Sequence, residues 1–303
     1  MWPFSRLTTC LSFILSGLIA ATVQAETIDA NSGDGFVALN RKIQCSLADS
    51  SPQVFEWSGF GYSRVPGEPD RKIFSLLGMN IRQCGQVEDP DKGIGYRLVS
   101  REIMLYLDPQ TGEILRRFDN PWTGASNEVI HVANDPVNQR PGFGINADGS
   151  EKAFTYRDVN GQYLINYEIP LFYKNAMGGD YQKYVGGSYH ATEIFDFNGD
   201  VAELLDASKP VAYPVISWVR LAPWLPWMEM NGRAGMLYFN AMGRKLENYE
   251  QLSDVIKAEI AQQYPDYTTP PPLDDPRRNE TSWTFMKKII DSRTEEAAAT
   301  PQH

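Results

Sequence analysis

An antiparallel meander that closes into a β-barrel or a strongly curved sheet, lipocalin-like in shape, is the fold predicted for this 303-residue chain. Three observations predict it. Short runs of alternating apolar and polar residues, the period of a half-buried strand, recur from about residue 54 to about residue 245. Clusters of Pro, Gly, Asn and Asp punctuate them at hairpin spacing. Helical spacing is confined to the two ends, and consecutive antiparallel strands tend to close on themselves because closure removes exposed edges.

The chain opens on Met1-Trp2-Pro3-Phe4-Ser5-Arg6, an apolar run over 11–21, and Val23-Gln24-Ala25 before Glu26. A short cationic start, an apolar stretch too brief to span a bilayer and small residues at the cleavage site make a secretory signal peptide, with cleavage expected after Ala25. Cys10 precedes the apolar stretch, which argues against a lipoprotein anchor. The expected location is therefore the periplasm or the medium, with no stable membrane insertion. The remaining residues suit one domain over 26–265, followed over 266–303 by a Pro-rich linker, a short helix and a disordered tail.

Phe36, Leu39, Ile43 and Leu47 follow Asp34 at near-helical spacing and predict a helix over 34–48 with Asp34 as its cap. Strands are expected over 54–65 and 72–83 around Pro66-Gly67-Glu68-Pro69-Asp70, and over 101–107 and 114–118 around Asp108-Pro109-Gln110-Thr111-Gly112. Asn160-Gly161, joining 154–159 to 162–169, is the strongest hairpin signal. The run 190–197 reaches Asn198-Gly199 in the same way. Further strands at 217–221 and 235–240 bring the total to about nine or ten. Leu252, Val255, Ile256 and Ile260 mark a helix over about 248–264, ended by Pro270-Pro271-Pro272, and 281–292 reads as the last helix.

The formal charge is −10, and −11 without the leader, which carries one Arg and no acid. No basic patch offsets it, so nucleic acid and anionic membrane surfaces are excluded as expected partners. Beyond the leader two cysteines remain, Cys45 and Cys84. In an oxidising compartment they are expected to form one disulfide, tying the first helix to the early sheet; two buried thiols are the other reading.

Trp218, Trp224 and Trp227 fall within ten residues, broken by Pro223 and Pro226. Such a segment is a rigid loop of large rings, either the wall of an apolar pocket or a plug closing one end of the barrel. Arg220 either clamps a ligand or makes an internal ion pair. Met228 and Met230 have the softness for copper(I), but no Met or His series accompanies them, so packing is expected and no metal. His131 precedes a polar turn with Asn134 and Asp135, and His190 shares a strand face with 192, 194 and 196. If both imidazoles face the interior beside Asp135, Glu193 or Asp196, they could work as acid and base. The chain has no Gly-x-Ser-x-Gly, His-Glu-x-x-His or Gly-x-x-x-x-Gly-Lys motif, and no cofactor is expected.

Arg101-Glu102-Ile103 leading to Asp108-Pro109-x-Thr111-Gly112-Glu113, Asn120-Pro121, His131-Val132-x-Asn134-Asp135-Pro136-Val137-Asn138, and Trp218-x-Arg220 with Pro223-Trp224-x-Pro226-Trp227-Met228-x-Met230 resemble the bacterial and fungal family called domain of unknown function 1838. The resemblance covers about residues 35–265. It implies that the histidine turn and the tryptophan loop are family features, which favours a shared pocket, and it supplies no activity.

The leading expectation is a binder of a small, largely apolar molecule, such as a lipid, terpenoid or aromatic, in a pocket walled by Trp218, Trp224, Trp227, Met228 and Met230, with Arg220, Asn134 and the histidines at its polar end. An isomerase, cyclase or hydrolase using His131 and His190 with Asp135 or Glu193 is the second. A structural module of the cell envelope is the third.

Overall fold

A computed structural model describes residues 26–185, 187–230 and 232–299; the expected leader over 1–25 lies outside them. The chain is mainly β, with four helices. Helix α1 (Gly33–Gln44) starts one residue before the expected helix, and its cap is Ser32, whose hydroxyl accepts from the Gly35 amide, with Asp34 in the first turn beside the positive end of the helix dipole.

Strands β1 (Gln53–Arg64), β2 (Arg71–Asp89) and β3 (Gly93–Leu107) form two consecutive hairpins. β2 is 19 residues long, reaching beyond its predicted end, and β3 begins eight residues earlier than expected. After β3 the chain makes the short pair β4 (Arg117–Asp119) and β5 (Ser126–Glu128), then β6 (Val132–Asn134) and β7 (Gly142–Phe143), both of which pair with β3. β8 (Arg157–Val159) and β9 (Gln162–Tyr173) turn at Asn160-Gly161, both with positive φ, as that dipeptide predicts. β10 (Tyr189–Asp200), the short helix α2 (Val201–Leu205), β11 (Val215–Ala222) and β12 (Met236–Leu246) complete the sheet. Asn198-Gly199 is not a turn but lies inside β10: Gly199 sits under the Tyr163 ring, where a Cβ would come within 2.6 Å of the phenol oxygen. Glycine marks close approach there, not a bend.

The strand order is β6-β3-β2-β1-β12-β11-β10-β9-β8, with β7 also on β3. Two meanders are thus joined in the middle by β1 against β12, over eleven residue pairs. The order is a path rather than a ring, and among the described residues no ladder joins its ends, so the expected barrel closure is absent from the pairing. Both ends are blunt: β8 and β6 have three residues each, β7 has two, and Pro170 interrupts the donors along β9, all ordinary ways of protecting an edge.

Strand alternation assigns the packing. On one face, hereafter the inner face, Phe55, Tyr163, Ile165, Phe197 and Ile216 receive Leu39 and Ile43 of α1 and Leu204 of α2. On the other face Leu105, Met79 and Ile81 receive Ile256 and Ile260 of α3 (Asp254–Gln263). Two buried lysines cap the inner helices. Lys245 of β12 donates to the carbonyls of Lys42, Ile43 and Cys45 at the end of α1, and Lys42 donates to those of Glu203, Leu204 and Asp206 at the end of α2.

Cys45 and Cys84 form a disulfide with a Cα–Cα distance of 5.9 Å, joining α1 to β2. The Pro-rich segment is pinned rather than loose: Gln83 donates to the Pro271 carbonyl, Arg97 to that of Asp275, and Glu280 donates its amide to Pro136. Helix α4 (Ser282–Ala299) is longer than predicted and runs through most of the stretch expected as a disordered tail. No helix among the described residues is long and apolar enough to cross a membrane.

Candidate functional site

The inner face carries two apolar clusters with charged side chains level with each of them. At one end the tryptophan loop is packed solid. Trp227 lies against Phe74, Tyr106 and Phe118, with ring centroids 5.7–6.0 Å away. Trp224 meets Trp122 at 4.9 Å and donates its indole N–H to the Arg233 carbonyl. Asn120 ties the loop down by donating to the Met228 carbonyl at 2.9 Å and to the Met230 sulfur. Met228 and Met230 are buried, and Trp283 and Met286 of α4 join the same cluster. Trp224, Trp227, Met228 and Met230 are all buried in this cluster.

The histidines do not come together. β6 ends its pairing with β3 at Val132, opposite Met104, and His131 takes over one step on, its Nδ1 accepting from the Tyr106 amide at 3.1 Å. It is buried, and burial, with the nearby Arg116 cation, holds it down at about pH 4. Its neighbours are Arg116 and Glu259 of α3, which make a two-armed ion pair. His190 is exposed on the outer face of β10, edge-on to Phe172. Asp135 is held by Arg101 and Arg277 at 3.1 and 2.8 Å, and buried Asn134 pairs across the ladder with Glu102. Asp196, on the outer face, accepts from Asn166 and Ser217.

What the structure does bring together is a set of charges on the inner face. Glu193 lies directly across from Arg220 in the β10–β11 ladder, with Nε and Oε1 3.3 Å apart, and Arg220 donates to the Tyr189 hydroxyl at 2.7 Å. Across β2 and β3, Asn80 faces Glu102. The Asn80 side chain accepts from Arg82 Nε at 2.7 Å and hydrogen-bonds Glu102 in turn, and Arg82 also donates to Gln44 of α1.

These two groups sit five steps apart in the strand order (β3, β2, β1, β12, β11, β10), yet each feels the other. Burial pushes the Glu102 carboxyl up to about 7, and Glu193 adds to it, against the pull of Arg82, Arg220 and the Asn80 hydrogen bond. Burial draws Arg220 down, but Glu193, Tyr189 and Tyr106 outweigh it and the net shift is upward. Burial pushes Tyr96 of β3 up to about 12, with Tyr167 of β9 adding to it. The inner face thus carries charged side chains from both meanders.

These charged groups keep contact with solvent. The side chains of Arg220 and Glu193 retain 12% and 19% of their surface, and Glu102 and Arg82 are also only partly covered. Trp57, accommodated over Gly78 of β2, and Trp218, stacked on Phe239 at 5.9 Å, border the same charges with aromatic surface. The Trp218 indole N–H is buried and has no partner. A groove of about 960 Å³ runs along β9, lined among others by Phe36, Asn40, Phe154 and Tyr167. Tyr167 remains 40% exposed in this groove.

Sequence reasoning thus singled out Trp218, Arg220 and Glu193 and missed Asn80, Arg82 and Glu102. Glu102 stands in the Arg101-Glu102-Ile103 run, and that run was the available signal. Among the described residues no group of three His, Cys, Asp or Glu side chains is placed to hold a metal ion.

The fold and site together define an antiparallel β-sheet protein with charged, partly solvent-accessible side chains among the aromatic rings of one face. The chain matches the family model described as "Protein of unknown function (DUF1838)" over residues 50–290 and belongs to that family. The match extends beyond the expected end at 265, through the pinned Pro-rich segment and into α4. None of the curated proteins compared with the chain matches it.

Proposed function

We propose that this is an exported protein that binds a small organic molecule, largely aromatic or apolar with one oxygen-bearing end, in the inner cleft between β3 and β10. The single observation that carries this reading is the Glu193–Arg220 pair, whose side chains keep 19% and 12% of their surface, beside the buried and unpartnered Trp218 N–H on the same face of β11. Isolated charges are costly to bury, and a chain that needed only a packed core could fill these positions with apolar side chains as it does in the tryptophan cluster. The unpaired Trp218 N–H and the Arg220 guanidinium supply donors for an oxygen, while Trp57, Trp218 and Tyr167 supply apolar surface.

The sheet is read as an incompletely closed barrel, because β3 and β10 act on each other without being neighbours in the ladder. Export is read from the leader-like residues 1–25, and the Cys45–Cys84 disulfide agrees with an oxidising compartment. Native mass spectrometry of protein purified from the cells that make it tests the binding. A retained organic mass is expected in the wild type, lost in Arg220→Met and weakened in Trp218→Phe. A mass that survives Arg220→Met moves the site elsewhere. A bare protein mass, with no thermal shift from aromatic ketones or carboxylic acids, overturns the binding.

A further inference from the structure

We propose that the groove beside β9 takes up an extended peptide, which adds to the free edge of β9 as a further strand and carries basic side chains alternating with apolar ones. This does not rest on the ligand site proposed above.

The groove lies where the protection of this edge lapses. β8 covers β9 only as far as Leu164, opposite Arg157, and Pro170 removes a donor further on. Between them the stretch over 165–169, about 16 Å long at roughly 3.3 Å per residue, is paired with β10 on one side and, among the described residues, with no strand on the other. The chain that would continue β8 leaves the ladder there. The Phe154 amide donates to the Ala30 carbonyl at 2.7 Å instead, and the Phe154 ring lies 6.2 Å from that of Tyr156. The gap opened between residues 153–157 and β9 is the groove of about 960 Å³.

The hairpin settles which backbone groups face the groove. Asn160 and Gly161, both at positive φ, make a two-residue turn, so Val159 and Gln162 exchange both of their backbone hydrogen bonds. Every second residue of β9 from Gln162 onward then points its N–H and C=O to the side of β8. Beyond Leu164 the next in that series are Asn166 and Glu168. Pro170 follows in the same parity, in agreement with a nitrogen that has no donor to give to β10. Asn166 and Glu168 therefore each offer an N–H and a C=O along the groove, a template for one more strand.

The side chains define the partner. On one face of the edge, Tyr167 lines the groove with Phe36 and Phe154 and remains 40% exposed, an apolar seat. On the other face Glu168 stands opposite Ile194 and Asp196 opposite Asn166, so the two carboxylates are diagonal neighbours in the ladder. Asp196 accepts from neutral donors, Asn166 Nδ2 and Ser217 Oγ, each at 2.8 Å. Among the described residues neither carboxylate has an ion-pair partner, although Arg157 also lines the groove. Successive side chains of a strand alternate between faces. A peptide with an apolar residue over Tyr167 thus sets its neighbours on the carboxylate side, where Lys or Arg lies beside Glu168 or reaches across Asn166 to Asp196.

The test uses the full chain and fluorescently labelled acetyl-Gly-Lys-Leu-Lys-Leu-Lys-Gly-amide at physiological salt. Saturable binding by anisotropy is expected, with hydrogen-exchange protection appearing at the Asn166 and Glu168 amides. Two analogues N-methylated on alternate residues, one of each parity, separate backbone pairing from charge: the analogue whose methyls face β9 should bind about tenfold more weakly or worse, and the other should bind as the parent does. Asn166→Pro removes an N–H that β10 does not use and should weaken binding about tenfold, whereas Asn166→Ala keeps that N–H and the affinity. Equal binding by the two methylated analogues overturns the proposal, because charge alone then holds the peptide. Absence of binding and of protection overturns it too. A concentration-dependent dimer that Asn166→Pro abolishes, without peptide uptake, gives the edge to a second copy, and maltohexaose binding at Tyr167 in place of the peptide gives the groove to a glycan; either outcome overturns the peptide.

Discussion

The inner face can be compared with itself. Towards one end, β2, β3, β11 and β12 offer Phe74, Tyr106, Trp218 and Phe239 to a loop that folds back and fills the space, with Trp227 touching three of the surrounding rings. The same face also carries charge: Arg220, directly across the ladder from Phe239, pairs with Glu193, and Arg82 holds Asn80 opposite Glu102, and these charged side chains stay partly wet. The two regions share a hydrogen-bonded framework but differ in what their side chains gain. Rings gain by excluding water. The charged groups gain little, since pairing roughly offsets the cost of desolvating them. Rigidity is concentrated in the tryptophan cluster and chemical capacity in the charged side chains.

Mutations that act on one region and spare the other sharpen this contrast. The largest effect is expected from Trp227→Ala, about 3–5 kcal/mol of lost stability in urea unfolding; a loss below about 1 kcal/mol would mean that the loop is a movable cover rather than a plug. Next is the acid side. His131 is held at about 4 against an ordinary 6.5, so the stability associated with its neutral form is present above pH 6.5 and is lost as the pH falls through 4. The full span is about 3 kcal/mol at 1.36 kcal/mol per pH unit. Stability profiles of wild type and His131→Gln should converge towards low pH, and parallel profiles would break the assignment.

In the charged region, Arg220→Met strands Glu193 and is expected to cost about 1–3 kcal/mol, less than Trp227→Ala because the pair is partly wet. The second pH effect, of the same span as that of His131, has the opposite sign. Glu102 is raised to about 7 from 4.5, so the stability tied to its protonated form is present below pH 4.5 and lost as the pH rises through 7. Glu102→Gln, which cannot ionise, should therefore gain on wild type between pH 5 and pH 8. A constant difference would show that Glu102 does not titrate in that window.

Local chemistry made the hairpins legible: Asn160-Gly161 turns as its positive φ preference demands, and Cys45 and Cys84 bond to each other as expected. Arg220 and Glu193 stood out because charged residues beside a tryptophan cluster are conspicuous. Glu102 and Arg82 did not, because Asn80, Arg82 and Glu102 come together only when β2 and β3 are in register. The histidines attracted attention through their rarity, yet His131 is used as a hydrogen-bond acceptor at the end of a ladder, a role that no local pattern announces. Asn198-Gly199 shows the same ambiguity in reverse: a dipeptide that permits a turn also permits a tyrosine ring to lie flat on the backbone.

The two capping lysines carry a consequence for assembly. The last turn of α1 depends on Lys245, some two hundred residues downstream, for donors to three of its carbonyls, and α2 depends on α1 through Lys42. The first helix to be synthesised is thus completed by the last strand of the sheet. A chain truncated before β12 would leave three α1 carbonyls without these donors even with the Cys45–Cys84 bond made, so the covalent link can hold the helix near the sheet but only the finished sheet can seat it.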